Sequence, residues 1–216
     1  MPTPAHRRQQ DLAARRAKIL SAARTLFAEH GVAGVTMRRL AKAVGYTAPV
    51  LYAHFSDKAT LLRELCAEDA THLLVAMQRA AQVSTPLAKL RAIGYAYVEF
   101  ALAHPEPFRL MFLTPVPLDD LHRISAGRSA DDPALACYAL LHTAVKEAAT
   151  AGELPQGKTA VERTTQVLWG AAHGVVALQA ILGASPDVRW SAVRPTARQL
   201  VDATLDGLVT RHRSGP

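Results

Sequence analysis

The stretch Val44–Leu62, VGYTAPVLYAHFSDKATLL, decides how the chain is read. It holds a glycine, a threonine, a proline, two aromatics around a histidine, and a lysine that opens a second apolar run. Thr47 to His54 suits a helix of about two turns, too short to persist alone in water. Upstream, Thr36 caps a second short helix from Met37 to about Val44. Met37, Leu40, Ala41 and Val44 fall on one face of it, and Arg38, Arg39 and Lys42 on the other. Gly45 suits a turn with positive φ between the two. Two helices across a four-residue AVGY turn, the first basic on its outer face, fit a helix-turn-helix. In that motif the second helix is short because it lies in a major groove and is held from behind. Leu51 and Phe55, four residues apart, are its expected buried face, while Ala48, Pro49, Val50 and Tyr52 fall toward the groove. Thr47 is expected to cap through Val50 N–H, since Pro49 has no N–H. The start of such a helix, with a hydroxyl beside it, suits a phosphate.

The distribution of charge agrees. The 216 residues carry a formal net charge of +7. Residues 1–58 hold ten Lys or Arg against three acids, and residues 59–216 hold fifteen of each sign, so the whole excess lies in the first quarter of the chain. This suits either a solvated arm that is basic or, more sharply, a small cationic domain facing a polyanion, followed by a larger neutral one. Arg15, Arg16 and Lys18 suit either that role or a solvated helix face. Arg7 and Arg8 sit in a basic arm that suits either the minor groove or free solvent. Two cysteines far apart, Cys66 and Cys137, give neither a disulfide framework nor zinc spacing and fit a reducing compartment. No unbroken apolar run reaches the length of a membrane span, and the basic N-terminus lacks a signal-peptide core. A cytoplasmic protein without a membrane partner is expected.

Ala and Leu abound, aromatics are few, and no strand alternation occurs, so the expected fold class is all-α with about nine helices. Asp11 to Glu29 reads as the first helix, capped by Asp11 and ended at Gly31. Ser56 is the expected cap of a long helix from Asp57 to about Gln82. Thr85-Pro86 and Asp132-Pro133 are caps followed by proline, opening helices to about His104 and Ala151. HPEPFRLMF breaks and restarts a short helix. LTPVPLDDLHRISAGRSADD has the composition of an irregular connection. Thr159 to Leu182 and Ala192 to Arg211 complete the chain. The domains are read as residues 1–58, a connecting helix 58–82, and residues 85–211.

The head is specific enough to compare with a known family. AARTLFAEHG, TMRRLAKAVG and LYAHFSDKATLL, within Lys18–Leu65, resemble the DNA-binding domain of the TetR family of repressors. The resemblance implies phosphate contacts from Thr36, Thr47, Tyr52, His54 and Lys58, and base-edge contacts from Ala48, Pro49 and Val50 with Arg38. Tyr52 and Phe55 are also compatible with core packing. Three positions depart from the family pattern. Arg39 stands where an acid is usual, removing a capping-box partner for Thr36 and adding attraction to DNA. Pro49 stands where glycine is common, and Val50 where a polar residue is. An Ala-Pro-Val set makes no bidentate bonds to bases; it suits thymine methyls, leaving specificity to Arg38, Arg39 and DNA shape.

The segment AVERTTQVLWGAAHGVVALQAIL is apolar nearly all round, with Gly170, Ala171, Gly174 and Ala177 at three- and four-residue steps. The resemblance implies a homodimer in which the last two helices, Thr159–Leu182 and Ala192–Arg211, form a four-helix bundle with a second copy; internal packing is the alternative. LWGAAHG (Leu168–Gly174) and YAYVEFALAHPEPFRLMF (Tyr95–Phe112) resemble a C-terminal domain type of the family that carries Trp, then His-Gly four residues on. That resemblance implies a pocket for a small hydrophobic ligand lined by Tyr95, Phe100, Phe108, Met111, Phe112, Tyr138, His142, Trp169 and His173. Each of these taken singly also suits core packing. No nucleophile motif, phosphate loop, metal cluster or convergent carboxylate pair is present, so neither an enzyme nor a cofactor is expected. The combined expectation is a homodimeric repressor that binds palindromic double-stranded operator DNA and is released by a small hydrophobic inducer.

Overall fold

Helix follows helix because turn residues interrupt apolar periodicity at each boundary, and the computed structural model shows no strand among the described residues. The structure describes residues 3–116, 118–126, 131–183, 185–187 and 189–214. The order is α1 (Pro4–His30), α2 (Met37–Val44), α3 (Ala48–His54), α4 (Lys58–Ala80), α5 (Pro86–Ala103), α6 (Pro105–Phe108), a π-helical turn (Arg109–Leu113), α7 (Leu118–Ala126), α8 (Pro133–Thr150), α9 (Lys158–Leu182) and α10 (Val193–Ser214). The chain divides into two units. The first comprises Met1–Glu68 with Leu110–Ser129, and the second Asp69–Arg109 with Ala130–Pro216.

In the first unit, α1 packs on α2 and α2 on α3. Ile19, Ala23, Phe27, Val32, Leu40, Leu51, Phe55, Leu61 and Leu65 build one apolar core. The α2–α3 turn closes as a Schellman motif. Gly45 takes φ 73° and ψ 28°. Its N–H donates to Lys42 O at 3.2 Å, and Tyr46 N–H donates to Ala41 O at 2.9 Å, so two orphan carbonyls of α2 are satisfied. Thr36 Oγ1 accepts from Arg39 N–H at 3.2 Å, as expected of a cap.

Four local expectations are corrected here. α1 starts at Pro4, with Thr3 Oγ1 accepting from His6 N–H at 3.3 Å, rather than at Asp11. Nothing between Pro4 and His30 breaks a helix, and proline at its first position is a better start than an interior Asp. The basic arm is therefore helix. The cap of α4 is Asp57, whose Oδ1 accepts from Thr60 N–H at 2.7 Å. Ser56 Oγ instead meets Thr60 Oγ1 at 3.1 Å. Thr47 makes no side-chain cap bond to α3. The stretch read as an irregular connection contains α7, whose Ile124 is buried in the core of the first unit.

In the second unit α5 packs against α6, α8, α9 and α10, and α9 also packs against α8 and α10. Gly94 makes the α5–α10 approach possible, because a Cβ there would lie 2.9 Å from Val201 Cγ1. An ion ladder fixes the same pair of helices. Arg91 binds Asp202 and, at 2.9 Å, Asp206, while Arg194 and Arg198 reach Glu99 at 2.9 and 3.0 Å. Lys89 bridges α5 to Glu147 of α8. The fold makes one direct prediction. Leu51 is fully buried and is the one buried residue of α3. Leu51→Ala should cost about 2–5 kcal/mol in a urea unfolding titration, at the upper end if α3 detaches.

Candidate nucleic-acid interface and aromatic cluster

α3 offers little to hold itself in place, so its neighbours decide its position. It has seven residues, one of them buried, and Phe55 packs into the core just beyond its end. Two cations of α1, open in sequence to a solvated-face reading, instead grip the helix-turn-helix. Arg16 Nη1 donates to His54 O at 2.8 Å, at the C-terminus of α3. The same guanidinium pairs with Glu64 and lies 4.4 Å from the centre of the Phe55 ring. Lys18 Nζ donates to Val44 O at 2.9 Å, at the C-terminus of α2, and lies 5.1 Å from the Tyr46 ring centre. Cations at helix C-termini complement both the orphan carbonyls and the helix dipole. Arg15 remains exposed.

The outward residues follow from this anchoring. Arg38, Arg39 and Lys42 are exposed on α2, and Pro49, Val50 and Tyr52 are exposed on α3, with Tyr52 half-exposed at 50%. Ala48 and His54 are partly covered. Among the described residues no carboxylate pairs with Arg38 or Lys42. Arg39 Nη2 lies 2.6 Å from His30 Nε2, which is held in turn near Glu29. Thr36 Oγ1 accepts at its cap and keeps its O–H as a donor, while Thr47 makes no side-chain cap bond. Lys58 differs from the rest. Its ammonium donates to Val32 O at 3.2 Å and pairs with Asp120 at 3.3 Å.

In the second unit a chain of rings links α5, α6, α8 and α9. Tyr97 and Phe108 lie edge to face at 6.1 Å, and Phe108 and His173 are 5.5 Å apart. Trp169 lies 6.2 Å from His173 and 5.8 Å from Tyr138, which neighbours His142 at 6.4 Å. Tyr97 OH and His173 Nδ1 share a hydrogen bond of 2.7 Å. Burial raises the Tyr97 phenol and lowers the His173 imidazole from their ordinary values, so the pair is neutral at pH 7. Tyr138 OH donates to Glu162, which holds that carboxyl below its usual range, and Glu162 lies 3.6 Å from His142. Phe100 is buried beside His104 at 4.9 Å.

Tyr95 is placed apart from these rings. Its hydroxyl donates to Asp202, and Arg198 covers its ring at 5.1 Å, so it belongs to the α5–α10 ladder. Tyr97 stands where a ring in the cluster must stand. It shares a buried stripe with Ile93, Phe100 and Ala101, a periodicity that the sequence already carries. Met111 and Phe112 are partly exposed and fall in the first unit. Cys137 donates to Ala70 O at 3.6 Å, and burial pushes its thiol up to about 12.

Two short helices at a glycine turn, pinned from behind and cationic in front, followed by an all-helical body, define a helix-turn-helix regulator. Residues 19–65 match the model described as bacterial regulatory proteins, tetR family, and residues 90–208 match the tetracyclin repressor-like C-terminal domain. The chain belongs to the TetR family of bacterial transcriptional regulators. It is similar to the HTH-type transcriptional repressor AcnR of Corynebacterium diphtheriae, 46% identical over 63 residues, 29% of this chain and 33% of that one. It is also similar to the HTH-type transcriptional activator FasR of Mycolicibacterium smegmatis, 30% identical over 99 residues, 45% of each chain. These matches span about a third to under half of the curated relatives' length. Its fold resembles that of the TetR-family regulator PfmR from Thermus thermophilus, with TM-score 0.62 at 20% identity over 88% of this chain and 98% of that one. The relatives are regulators of transcription, not enzymes.

The two sites give separate predictions. Lys42→Ala should weaken binding to any duplex and flatten the dependence of log K on log salt by about 0.9. Arg16→Ala should weaken binding with the salt slope unchanged, since Arg16 holds α3 rather than a phosphate; anisotropy titrations over a salt series separate the two. In the body, the unfolded chain protonates His173 near pH 6.5 and the native chain only at lower pH. Stability should therefore fall as pH drops through that window, and His173→Asn should remove this component from melting curves compared between pH values of about 5.5 and 7.5.

Proposed function

We propose that the protein is a homodimeric, ligand-responsive repressor that binds a palindromic operator and releases it when a small hydrophobic compound enters the C-terminal domain. The observation that carries the DNA half is the coincidence of a pinned helix-turn-helix with the whole net charge of the chain. In this reading Thr36, Thr47, Tyr52, His54 and Lys58 meet phosphates. Arg38, Arg39, Ala48, Pro49 and Val50 face the groove. Repression rather than activation follows the named function of AcnR, the relative with the higher identity over the head.

Dimerisation is supported by what α9 leaves uncovered. By length and composition this helix would span a bilayer, yet only 22% of its most apolar window is buried within the chain. Val167, Leu178, Ile181 and Leu182 are exposed, and a Cβ on Gly170 or Gly174 would meet nothing within 4 Å. Small residues that no neighbour in the chain requires suit the close approach of a second copy. Two-fold symmetry then presents two α3 helices to half-sites one turn apart, about 34 Å. The polar points of the ring chain, Tyr97, His173 and Tyr138, suit a largely apolar ligand with few hydrogen-bonding groups.

Selection of duplexes from a random pool, with sedimentation of the complex, tests the reading. It should yield a palindrome bound by two copies; a single half-site bound by one copy would refute the dimeric form. Gly174→Leu should leave the monomer's melting temperature nearly unchanged while shifting the sedimenting species toward monomer and weakening operator binding by at least tenfold.

A further inference from the structure

α7 lies in a stretch with no regular pattern in sequence, yet it belongs to the same unit as the helix-turn-helix. Ile124 is buried in the head's core together with Leu110, and Val116 packs against that core. This seating brings Asp120 Oδ2 to 3.3 Å from Lys58 Nζ, with side chains 15% and 21% exposed. Lys58 also donates to Val32 O, so two of its three N–H groups are spent.

We propose that Asp120 competes with DNA for Lys58: the carboxylate occupies the counter-ion position of a backbone phosphate, and the head reaches its full affinity only when this pair opens. The inference rests on the reading in which Lys58 meets a phosphate. A carboxylate and a phosphate oxygen ask the same thing of an ammonium, a short charge-assisted hydrogen bond. While Asp120 holds Lys58 the pair is neutral, and the exposed Asp119 beside it adds a further negative charge. Because both partners are largely covered, salt screens this pair less than it screens a surface pair. The chain enters this segment from the second unit and returns to it, so a rearrangement there has a covalent route to α7.

A double-mutant cycle on the full chain tests this: wild type, Asp120→Asn, Lys58→Ala and the combination. Each is titrated onto a selected operator and onto an unrelated duplex at about 50 to 200 mM salt. Asp120→Asn should tighten both complexes about two- to fivefold and steepen the salt slope by about 0.9. It should do neither in the Lys58→Ala background. Equal tightening with and without Lys58 would reduce the effect to bulk charge and overturn the proposal, as would weaker binding by Asp120→Asn. If Lys58→Ala changes nothing even when Asp120 is neutralised, the phosphate reading of Lys58 itself fails. Asp120→Glu, which keeps the charge, should bind as wild type does, and it decides the matter should Asp120→Asn fail to fold: tighter binding by Asp120→Glu refutes the proposal.

Discussion

Two cations on α1, Arg16 and Lys18, close the C-termini of α3 and α2 through His54 O and Val44 O. The rest of the head depends on this. A seven-residue helix cannot supply its own stability, and α3 buries a single side chain of its own. Its orientation is therefore set from outside, by Leu51 and Phe55 in the core and by a guanidinium that reaches the helix end, Glu64 and the Phe55 ring together. Arg suits this position better than Lys because a planar fork can satisfy a carbonyl and a carboxylate at once while stacking on a ring.

The head was legible in sequence to the extent that local chemistry dictates it. The buried face of α2, the left-handed Gly45 and the Thr36 cap each follow from rules that act within one or two turns, and each is found. What was not legible depends on partners distant in sequence. Arg16 and Lys18 sit on a helix whose pattern is equally that of a solvated face; their partners are 38 and 26 residues away. α7 is short, follows Pro115 and Pro117 and carries two acids in its first turn, and only the core beneath Ile124 makes it worth folding. Adjacent candidates misled at finer scale. Ser56 and Asp57 are both good caps, and the backbone entry into α4 favours Asp57. Tyr95 and Tyr97 are two residues apart, so on a helix they point to nearly opposite sides. The buried stripe through Ile93 and Phe100 selects Tyr97, while Tyr95 finds Asp202.

In the body, polarity and apolarity are sorted by face. The α5–α10 contact carries Arg91, Tyr95, Glu99, Arg194, Arg198, Asp202 and Asp206, an ion network that fixes register at little net gain in stability. α9 carries the opposite bias, with an apolar surface that the chain itself leaves largely uncovered. Leu178 and Ile181, 50% and 62% exposed, each forgo roughly half of the 1.5–3 kcal/mol that full burial of such a side chain contributes. The sorting therefore places the specific, hydrogen-bonded contact between α5 and α10 and leaves the apolar, non-directional surface on the uncovered face of α9.

The same sorting governs charge in the head. The formal excess of positive charge in residues 1–58 overstates what a duplex would meet. Arg16 is matched by Glu64, Arg24 by Glu68 at 3.7 Å, and Lys58 by Asp120, so part of the excess is consumed in holding the head together. The cations left facing outward, Arg38 and Lys42 above all, lie on α2, next to the turn that leads into α3. Counter-ion release scales with phosphates neutralised and not with formal charge. A head with part of its charge internally paired thus meets nonspecific DNA with fewer cations than its sequence suggests. For a regulator that has to find one operator among a genome of competitors, the useful quantity is the ratio of specific to nonspecific affinity. Internal pairing lowers the nonspecific term without touching the exposed residues of α3.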